Sequence, residues 1–155
     1  MDLHILIETA KKARENSYAP YSHYKVGCAL LTKSGKIFSG CNIENDGLMS
    51  ICAERVAFAK AISEGEKDFE CILVLGGKED LQYTSPCGYC RQFMSEFCDK
   101  NFEIYMYYDN EKIDKKRLID LLPNSFNLQK WKRDKIRLNF ISFYCIKIIF
   151  LHILL

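Results

Sequence analysis

Three cysteines and a glutamate form the part of the sequence most suited to chemistry. Cys52 and Glu54 lie two residues apart, and Cys87 and Cys90 follow later in a Pro-Cys-x-x-Cys segment. Three thiolates can together hold a zinc ion and leave its fourth coordination position open. An open position is typical of catalytic zinc, so this pattern predicts a metal site that performs chemistry.

Both cysteine segments are predicted to begin helices, because an apolar pattern with helical spacing starts at each of them. The pattern continues through Val56, Ala57 and Ala61 in one segment and through Phe93, Met94 and Phe97 in the other. Free backbone amides and the helix dipole stabilise a thiolate at a helix N-terminus. We therefore expect the cysteines at these helix starts to favour the charged form that binds metal.

Glu54 and Arg55 are the candidates for assisting this site. Glu54 lies half a helical turn beyond Cys52, which is too close to be excluded from the site and poorly angled for binding the same ion. It is better placed as a proton carrier. Three thiolates on a dication leave excess negative charge, and the Arg55 guanidinium is expected to withdraw charge from Cys52. Without the cysteines, Glu54 would be interpreted as an ordinary first-turn glutamate that interacts with the helix dipole, and Arg55 as a solvated helix residue.

Two other interpretations of the cysteines stay open. Cys87 and Cys90 alone match a thioredoxin-like redox pair, which would need neither Cys52 nor Glu54. A structural four-cysteine zinc site is the second, although such sites normally show two Cys-x-x-Cys segments and this chain shows one. Cysteines outside the proposed site lie in apolar runs and are predicted to behave as small buried hydrophobic residues, namely Cys28, Cys41, Cys71 and Cys98.

Length and composition favour a single intracellular domain. The chain has 155 residues and eight cysteines, with 22 Lys and Arg against 20 Asp and Glu. This length suits about one domain, and the near-balanced charge implies no polyanionic partner for the chain as a whole. Met1 opens directly into an amphipathic segment, so we expect no signal peptide. A cytoplasmic protein with reduced thiols is therefore favoured over a secreted disulfide framework.

The predicted elements indicate an α/β fold, a three-layer α/β/α sandwich with a mixed central β-sheet. They are a helix from Leu3 to about Asn16, a hairpin of strands Tyr24 to Thr32 and Ile37 to Ile43, a helix from about Cys52 to Glu64 closed by Gly65, a strand Cys71 to Leu75, a helix after Pro86, a strand Phe102 to Tyr108 and a short helix Lys115 to Leu122. Both cysteine segments start helices that follow strands, so they should meet at the carboxyl edge of the sheet, where such folds bind ligands.

Several further motifs surround the cysteines, and together the matching segments cover nearly all of residues 3 to 128. They are Pro20-Tyr21-Ser22 with Val26-Gly27, Gly40-Cys41-Asn42-Ile43-Glu44-Asn45, Cys52-Ala53-Glu54-Arg55, Ser85-Pro86-Cys87-Gly88 with Cys90-Arg91-Gln92, and Leu121-Leu122-Pro123 with Ser125-Phe126. In these motifs the sequence strongly resembles the small homotetrameric zinc-dependent cytidine deaminases. The resemblance implies one Zn²⁺ per chain and hydrolytic deamination of cytidine and deoxycytidine to uridine and deoxyuridine, in pyrimidine salvage.

The same resemblance implies a role for each matching site residue. The metal ligands would be Cys52, Cys87 and Cys90, with Glu54 as the catalytic proton shuttle. The substrate-binding residues would be Tyr24, Asn42, Glu44, Ala53 and Phe126. Asn42 and Glu44 would hold a ribose hydroxyl, and Tyr24, where the family more usually has phenylalanine, would pack on the base. Phe126 would reach the site of a neighbouring subunit in a homotetramer with shared active sites.

The chemistry of two of these residues agrees with a sugar role. An amide and a carboxylate can bind a hydroxyl together, whereas the carboxylate of Glu44 would repel a phosphate. A free nucleoside is therefore the favoured partner over a nucleotide. Without the resemblance, turn hydrogen bonds would be the default interpretation of Asn42 and Glu44.

Other functions stay open beside this one. A deaminase of another aminopyrimidine nucleoside, of the blasticidin type, is the nearest alternative. A non-catalytic zinc scaffold or a nucleic-acid-binding protein would belong to a different class. The candidate nucleic-acid contacts are Lys130, Lys132, Arg133, Lys135 and Arg137. This basic cluster is short and adjoins an apolar tail, so a solvated linker is favoured and no nucleic-acid partner is expected.

The composition changes abruptly after Trp131, which predicts a catalytic domain over residues 1–131 and an extension over residues 132–155. Leu138 to Leu155 is rich in Ile, Phe and Leu, but its length barely reaches the roughly 17–25 residues of a membrane span. Lys147 near its middle would add about 2.5–3.5 kcal/mol to the cost of insertion. A span is therefore disfavoured. The extension is expected either to pack on a subunit surface or to come from a wrongly assigned reading frame.

Overall fold

The structure, a computed structural model, describes residues 2–47, 49–109 and 111–126. The chain divides into two units, Met1–Ser125 and Phe126–Leu155. The first unit contains α1 (Leu3–Glu15), β1 (Lys25–Thr32), β2 (Ile37–Cys41), α2 (Ala53–Ser63), β3 (Phe69–Gly77), α3 (Gly88–Phe97), β4 (Glu103–Tyr108), β5 (Lys112–Arg117) and α4 (Leu118–Leu121). The boundary predicted after Trp131 and the apolar tail lie outside the described residues.

The sheet is mixed, as predicted, with strand order β2-β1-β3-β4-β5. β1 pairs antiparallel with β2 and β3, β3 pairs parallel with β4, and β4 pairs antiparallel with β5. Successive side chains of the apolar strand β3 point to opposite faces. Ile72 and Val74 join the core under α2 and α3, while Leu73 and Leu75 join the core under α1. The predicted three-layer α/β/α sandwich is therefore confirmed.

Two glycines let helices approach the sheet closely enough to fix the cysteine segments. A Cβ atom at Gly40 of β2 would lie 2.1 Å from the backbone oxygen of Ala53 in the first turn of α2. A Cβ atom at Gly27 of β1 would lie 2.1 Å from the backbone oxygen of Ala10 in α1. Since side chains at either position would collide with a helix backbone, these glycines permit the helix-to-sheet packing. At Gly40 the close packing fixes the helix turn that carries Glu54.

The predicted starts and end of the two site helices are confirmed. Cys52 is the N-cap of α2, and Cys87 is the N-cap of α3. Gly65 follows α2 with a φ of +92°, and its N–H donates to the backbone oxygen of Ile62. A second bond runs from the N–H of Glu66 to the backbone oxygen of Ala61, which completes a Schellman end.

The predicted helix from Lys115 to Leu122 is wrong over its first half. Residues Lys112–Arg117 form strand β5 at the edge of the sheet, and the helix comprises only Leu118–Leu121. The backbone of β5 pairs with β4 over its full length, and Lys115 Nζ lies 2.9 Å from Glu103 Oε1 across the pair. Charged residues have low strand propensity, so the pattern alone favoured a helix, whereas lysines are common on exposed edge strands.

Among residues 2–47, 49–109 and 111–126, we find no helix with the length and apolar character needed to cross a membrane.

Candidate active site

A cavity of about 280 Å³ opens where the N-terminal ends of α2 and α3 meet the sheet. It is lined by Val26, Asn42, Glu44, Ser50, Ile51, Cys52, Ala53, Glu54, Thr84, Ser85 and Cys87. Most of the residues predicted to bind metal or substrate therefore meet at one place. Cavities at the carboxyl edge of an α/β sheet are common ligand sites, and this volume suits a small ligand.

The three predicted metal ligands converge beside this cavity. The Sγ atoms of Cys52, Cys87 and Cys90 all lie within 4.8 Å of one another, and in the described part of the chain no fourth ligand-type side chain joins them. The Sγ atoms of Cys52 and Cys87 are 3.8 Å apart. Two sulfurs bound about 2.3 Å from one tetrahedral zinc ion would lie about 3.8 Å apart, so the donor set fits zinc.

A hydrogen bond between two of the thiols shifts the pKa of each. The pKa of Cys52 is lowered to about 5, chiefly by a hydrogen bond from the Cys90 thiol and further by Arg55. Cys90 is fully buried, and its pKa is raised well above the usual thiol range because it donates to Cys52 and because burial penalises its charge. The cluster therefore carries one stabilised thiolate in its protein surroundings alone. Within the described residues, every cysteine is a thiol outside any disulfide.

Arg55 lies where the sequence predicted, beside Cys52. Its Nη2 atom donates to the backbone oxygen of Ser50 at 2.8 Å and contacts Cys52 Sγ at 3.8 Å. Its guanidinium carbon lies 4.4 Å from the centre of the Tyr89 ring. A cation at this position offsets the negative charge of the cysteine cluster.

Glu54 lies in the first turn of α2, and its side chain lines the cavity although the residue is only 4% exposed. Burial raises its pKa to about 7, because the charged form loses contact with water, and the neighbouring Cys52 charge acts in the same direction. A carboxyl group with this pKa can both accept and donate a proton near neutral pH.

Asn42 and Glu44 also line the cavity, and both are held by backbone groups. Asn42 Oδ1 accepts from the N–H of Val26 at 2.8 Å, and its Nδ2 donates to the backbone oxygen of Tyr24 at 2.8 Å. Glu44 accepts from the N–H groups of Tyr21 and Ser22 and from the Ser22 hydroxyl. The loop hydrogen bonds that the sequence left as an alternative are thus present, and they hold both groups at the cavity.

The hydrogen bonds at Glu44 also set its charge. The Ser22 hydroxyl lowers the pKa of Glu44 below its usual value, and the two backbone amides add to the effect. A carboxylate with three donors is stabilised in its charged form.

Comparison with known proteins shows the family to which the chain belongs. The family described as "Cytidine and deoxycytidylate deaminase zinc-binding region" matches residues 2–106. The chain belongs to this family. The predicted family is therefore confirmed, and so is the predicted zinc cofactor. The matched zinc-binding region contains the three-cysteine cluster, and the sulfur spacing of that cluster fits the ion.

Individual relatives of this deaminase-family chain match most of its length. A cytidine deaminase from Sporosarcina psychrophila is 44% identical over 128 residues, which cover 82% of this chain and 93% of the relative. A blasticidin-S deaminase from Bacillus cereus is 32% identical over 125 residues, which cover 76% of this chain and 87% of the relative. A crystal structure of cytidine deaminase from Burkholderia pseudomallei superposes with a TM-score of 0.75 at 42% identity, covering 81% of this chain and 100% of that one.

The deaminase cavity also contains residues that the sequence did not single out. Thr84 lines the wall, and its Oγ1 lies 2.7 Å from the hydroxyl oxygen of Tyr24. Tyr24 is not among the described residues that line the cavity, so its predicted base contact stays a prediction. The sequence feature that could have indicated Thr84 as a cavity residue was its position directly before the Ser85-Pro86-Cys87 segment. Nothing in its residue type marked it.

Phe126 is 61% exposed and belongs to the second unit of the chain. Its predicted contact with a neighbouring subunit concerns a partner chain and stays a prediction. The aromatic side chain is nevertheless accessible, as such a contact requires.

Proposed function

We propose that this chain is a hydrolase that converts cytidine and deoxycytidine, with water, to uridine or deoxyuridine and ammonia. One observation carries the proposal: a buried carboxyl group, Glu54, lies beside a three-cysteine zinc cluster in a small cavity of a deaminase-family chain. The reaction breaks the bond between the ring carbon and the exocyclic amine and forms a carbon–oxygen bond.

The cysteine cluster supplies the metal site. Cys52, Cys87 and Cys90 would hold the ion, and Arg55 would offset their charge while its Nη2 contacts Cys52. Zinc, when bound there, acts as a Lewis acid that lowers the pKa of water and so provides a nucleophile near neutral pH.

Glu54 moves the protons. Its carboxylate takes a proton from the attacking water and delivers protons to the ring nitrogen and to the departing amine. A pKa of about 7 suits both directions of transfer, since neither form of the carboxyl group is strongly favoured near neutral pH. Its burial also keeps bulk water away from this exchange.

Asn42 and Glu44 bind the sugar. After its two backbone bonds, the Asn42 amide keeps one N–H and one lone pair for a ligand, and Glu44 can accept from a hydroxyl. Ala53, which is fully buried, also lines the cavity and would contact the ligand there. The charge on Glu44 disfavours a phosphate, so free nucleosides are preferred over nucleotides.

The chain acts as a cytoplasmic homotetramer with shared active sites, in pyrimidine salvage. Exposed apolar side chains at the cavity and beside it support an interface here. Tyr21, Ile43, Met49 and Ile51 are between 41% and 63% exposed. Exposed apolar groups concentrated at one place are typical of protein–protein contacts. Sedimentation analysis tests this assembly, and a monomer at the concentrations used for activity would contradict it.

Blasticidin S is the second candidate substrate, because the Bacillus cereus relative is named for its deamination. The relative with higher identity, from Sporosarcina psychrophila, is named for cytidine, so cytidine is the leading candidate.

A single assay series tests the function. Ammonia release is measured with cytidine, deoxycytidine, cytidine monophosphate, blasticidin S and single-stranded nucleic acid at equal concentration. We expect both nucleosides to be turned over at higher kcat/KM than the monophosphate and the nucleic acid to be inert. Turnover of blasticidin S alone would favour the second candidate. A zinc-loaded chain that deaminates none of them would be a non-catalytic scaffold.

A further inference from the structure

Tyr89 lies between two of the proposed zinc ligands, in the first turn of α3. Its ring centre is 4.4 Å from the guanidinium carbon of Arg55, which belongs to α2. A guanidinium within about 6 Å of a ring centre is attracted to the negative face of the aromatic ring. The ring therefore holds the cation that lies beside Cys52.

The hydrogen bonds of Arg55 leave its orientation dependent on this ring. A single terminal nitrogen, Nη2, makes the bond to Ser50 and the contact to Cys52. The inner nitrogen, Nε, is buried and has no hydrogen-bond partner among the described residues. Cys90 also attracts the guanidinium. A planar group held mainly through one nitrogen is positioned more firmly when a second surface supports its plane. The Tyr89 ring provides that surface.

The pair also connects the two helices that carry the cysteines. α2 begins after Cys52 and α3 begins after Cys87, so each helix start presents a sulfur to the cluster. The contact between Arg55 and Tyr89 joins the first turns of these helices directly beside the sulfurs. Movement of one helix start relative to the other would therefore disturb both the contact and the sulfur spacing.

We propose that Tyr89 is a positioning residue of the zinc site, whose ring holds Arg55 against Cys52 and thereby slows release of the metal. The proposal rests on Cys52, Cys87 and Cys90 being the zinc ligands and adds a residue that binds neither metal nor substrate. The face of the ring makes the contact, so phenylalanine should replace tyrosine and an aliphatic side chain should not.

The test measures how fast zinc passes from the loaded protein to an excess of a coloured chelator. We expect Tyr89→Leu to release zinc roughly 2- to 5-fold faster than the wild type, the range that an exposed cation–π contact of about 0.5–1 kcal/mol supports. Tyr89→Phe should release zinc at nearly the wild-type rate. In an Arg55→Gln background, Tyr89→Leu should bring no further acceleration, because the cation is already gone.

Tyr83→Leu is the matched control. Tyr83 is 52% exposed and Tyr89 is 54% exposed, but the Tyr83 ring packs on Tyr108. Its replacement should leave the release rate unchanged. Thermal unfolding of each zinc-loaded variant checks that the fold is kept.

Equal release rates for the wild type and Tyr89→Leu would overturn the proposal. So would equal acceleration by Tyr89→Leu in the Arg55→Gln background, or a Tyr89→Phe variant as fast as Tyr89→Leu. Deamination by the wild type is measured separately. A zinc-loaded wild type that releases zinc as expected but turns over no nucleoside would overturn the proposed function alone.

Discussion

Two parts of the cavity, the cysteine end (Cys52, Glu54 and Cys87) and the loop end (Asn42 and Glu44), use a glutamate side chain in opposite ways. At the cysteine end, Glu54 is buried and its pKa is raised to about 7, because water cannot reach its charge. At the loop end, Glu44 is more accessible and its pKa is lowered, because a hydroxyl and two backbone amides donate to it. One carboxyl group is prepared to exchange a proton, and the other is prepared to keep its charge. The surroundings of each carboxyl group, and not its residue type, therefore set its charge.

The two ends also differ in what they are organised to bind. Asn42 and Glu44 are already bonded to backbone groups of residues 21–26. At the cysteine end, three sulfurs gather within 4.8 Å and can accept a metal ion. Changes at the cysteine end should therefore affect metal content and turnover, whereas changes at the loop end should affect affinity and selectivity.

Removing a metal ligand should have the largest effect. We expect Cys87→Ala to lose its zinc, its turnover and part of its thermal stability, because the ion joins the starts of α2 and α3. Cys87 is exposed, so the substitution leaves no cavity in the core. Metal analysis and thermal unfolding measure the result, with Cys41→Ala as the control outside the cluster. A wild-type protein with a stoichiometric Cys87–Cys90 disulfide and no metal would contradict this prediction and support the redox pair.

Neutralising the proton carrier Glu54 should have the second-largest effect. Glu54→Gln keeps the shape of the side chain, so the variant should retain zinc and fold while kcat falls by about 10²–10⁴, the usual contribution of a positioned acid or base. Steady-state kinetics and metal analysis on the same sample provide the measurement. Near-normal turnover would remove Glu54 from the chemistry.

The same substitution at the loop end should change a different quantity. Glu44→Gln should raise KM for cytidine roughly 10- to 100-fold, the expected cost of losing a hydrogen bond to a charged group, with much less change in kcat. Discrimination against cytidine monophosphate should also weaken, because the repelling charge is gone. A variant with lower kcat and unchanged KM would contradict the assignment of turnover to the cysteine end and of affinity to the loop end.

The lowered pKa of Glu44 predicts a flat affinity profile in mildly acidic solution. The ordinary pKa of a glutamate carboxyl group is 4.5, and that of Glu44 is lower. Glu44 therefore stays charged at every pH above 4.5 and loses its charge only as the pH falls through the lowered pKa. KM for cytidine should therefore stay nearly constant from about pH 8 to pH 5. The inhibition constant of the product uridine, measured in parallel, should follow it. A steep rise of KM within this range would contradict a charged Glu44.

Ending the chain after Trp131 should have the smallest effect. This truncation retains the whole cavity and Phe126, so we expect unchanged zinc content and kcat, and greater solubility, because the apolar segment from Leu138 is removed. Gel filtration, metal analysis and kinetics of the shortened and full chains check this. Unfolding or loss of turnover on truncation would place residues 132–155 inside the catalytic domain.

Much of the fold and of the metal site could be read from local patterns. Helical periodicity beginning at Cys52 and Cys87 predicted that both residues start helices, and each is an N-cap in the structure. Gly65 was recognised as a helix end, because a positive φ at that point suits glycine. These features depend on residues within a few positions of one another, so sequence alone determined them.

The remaining features depend on residues that are distant in the chain. β5 forms because its backbone pairs with β4. Its charged side chains did not predict a strand. The contacts of Tyr24 with Thr84 and of Arg55 with Tyr89 join different elements. The raised pKa of Glu54 depends on burial of its carboxyl group, which only the folded chain provides. The sequence thus determined which groups can do chemistry, whereas tertiary packing decided their charge and their neighbours, because burial and long-range contacts exist only in the folded chain.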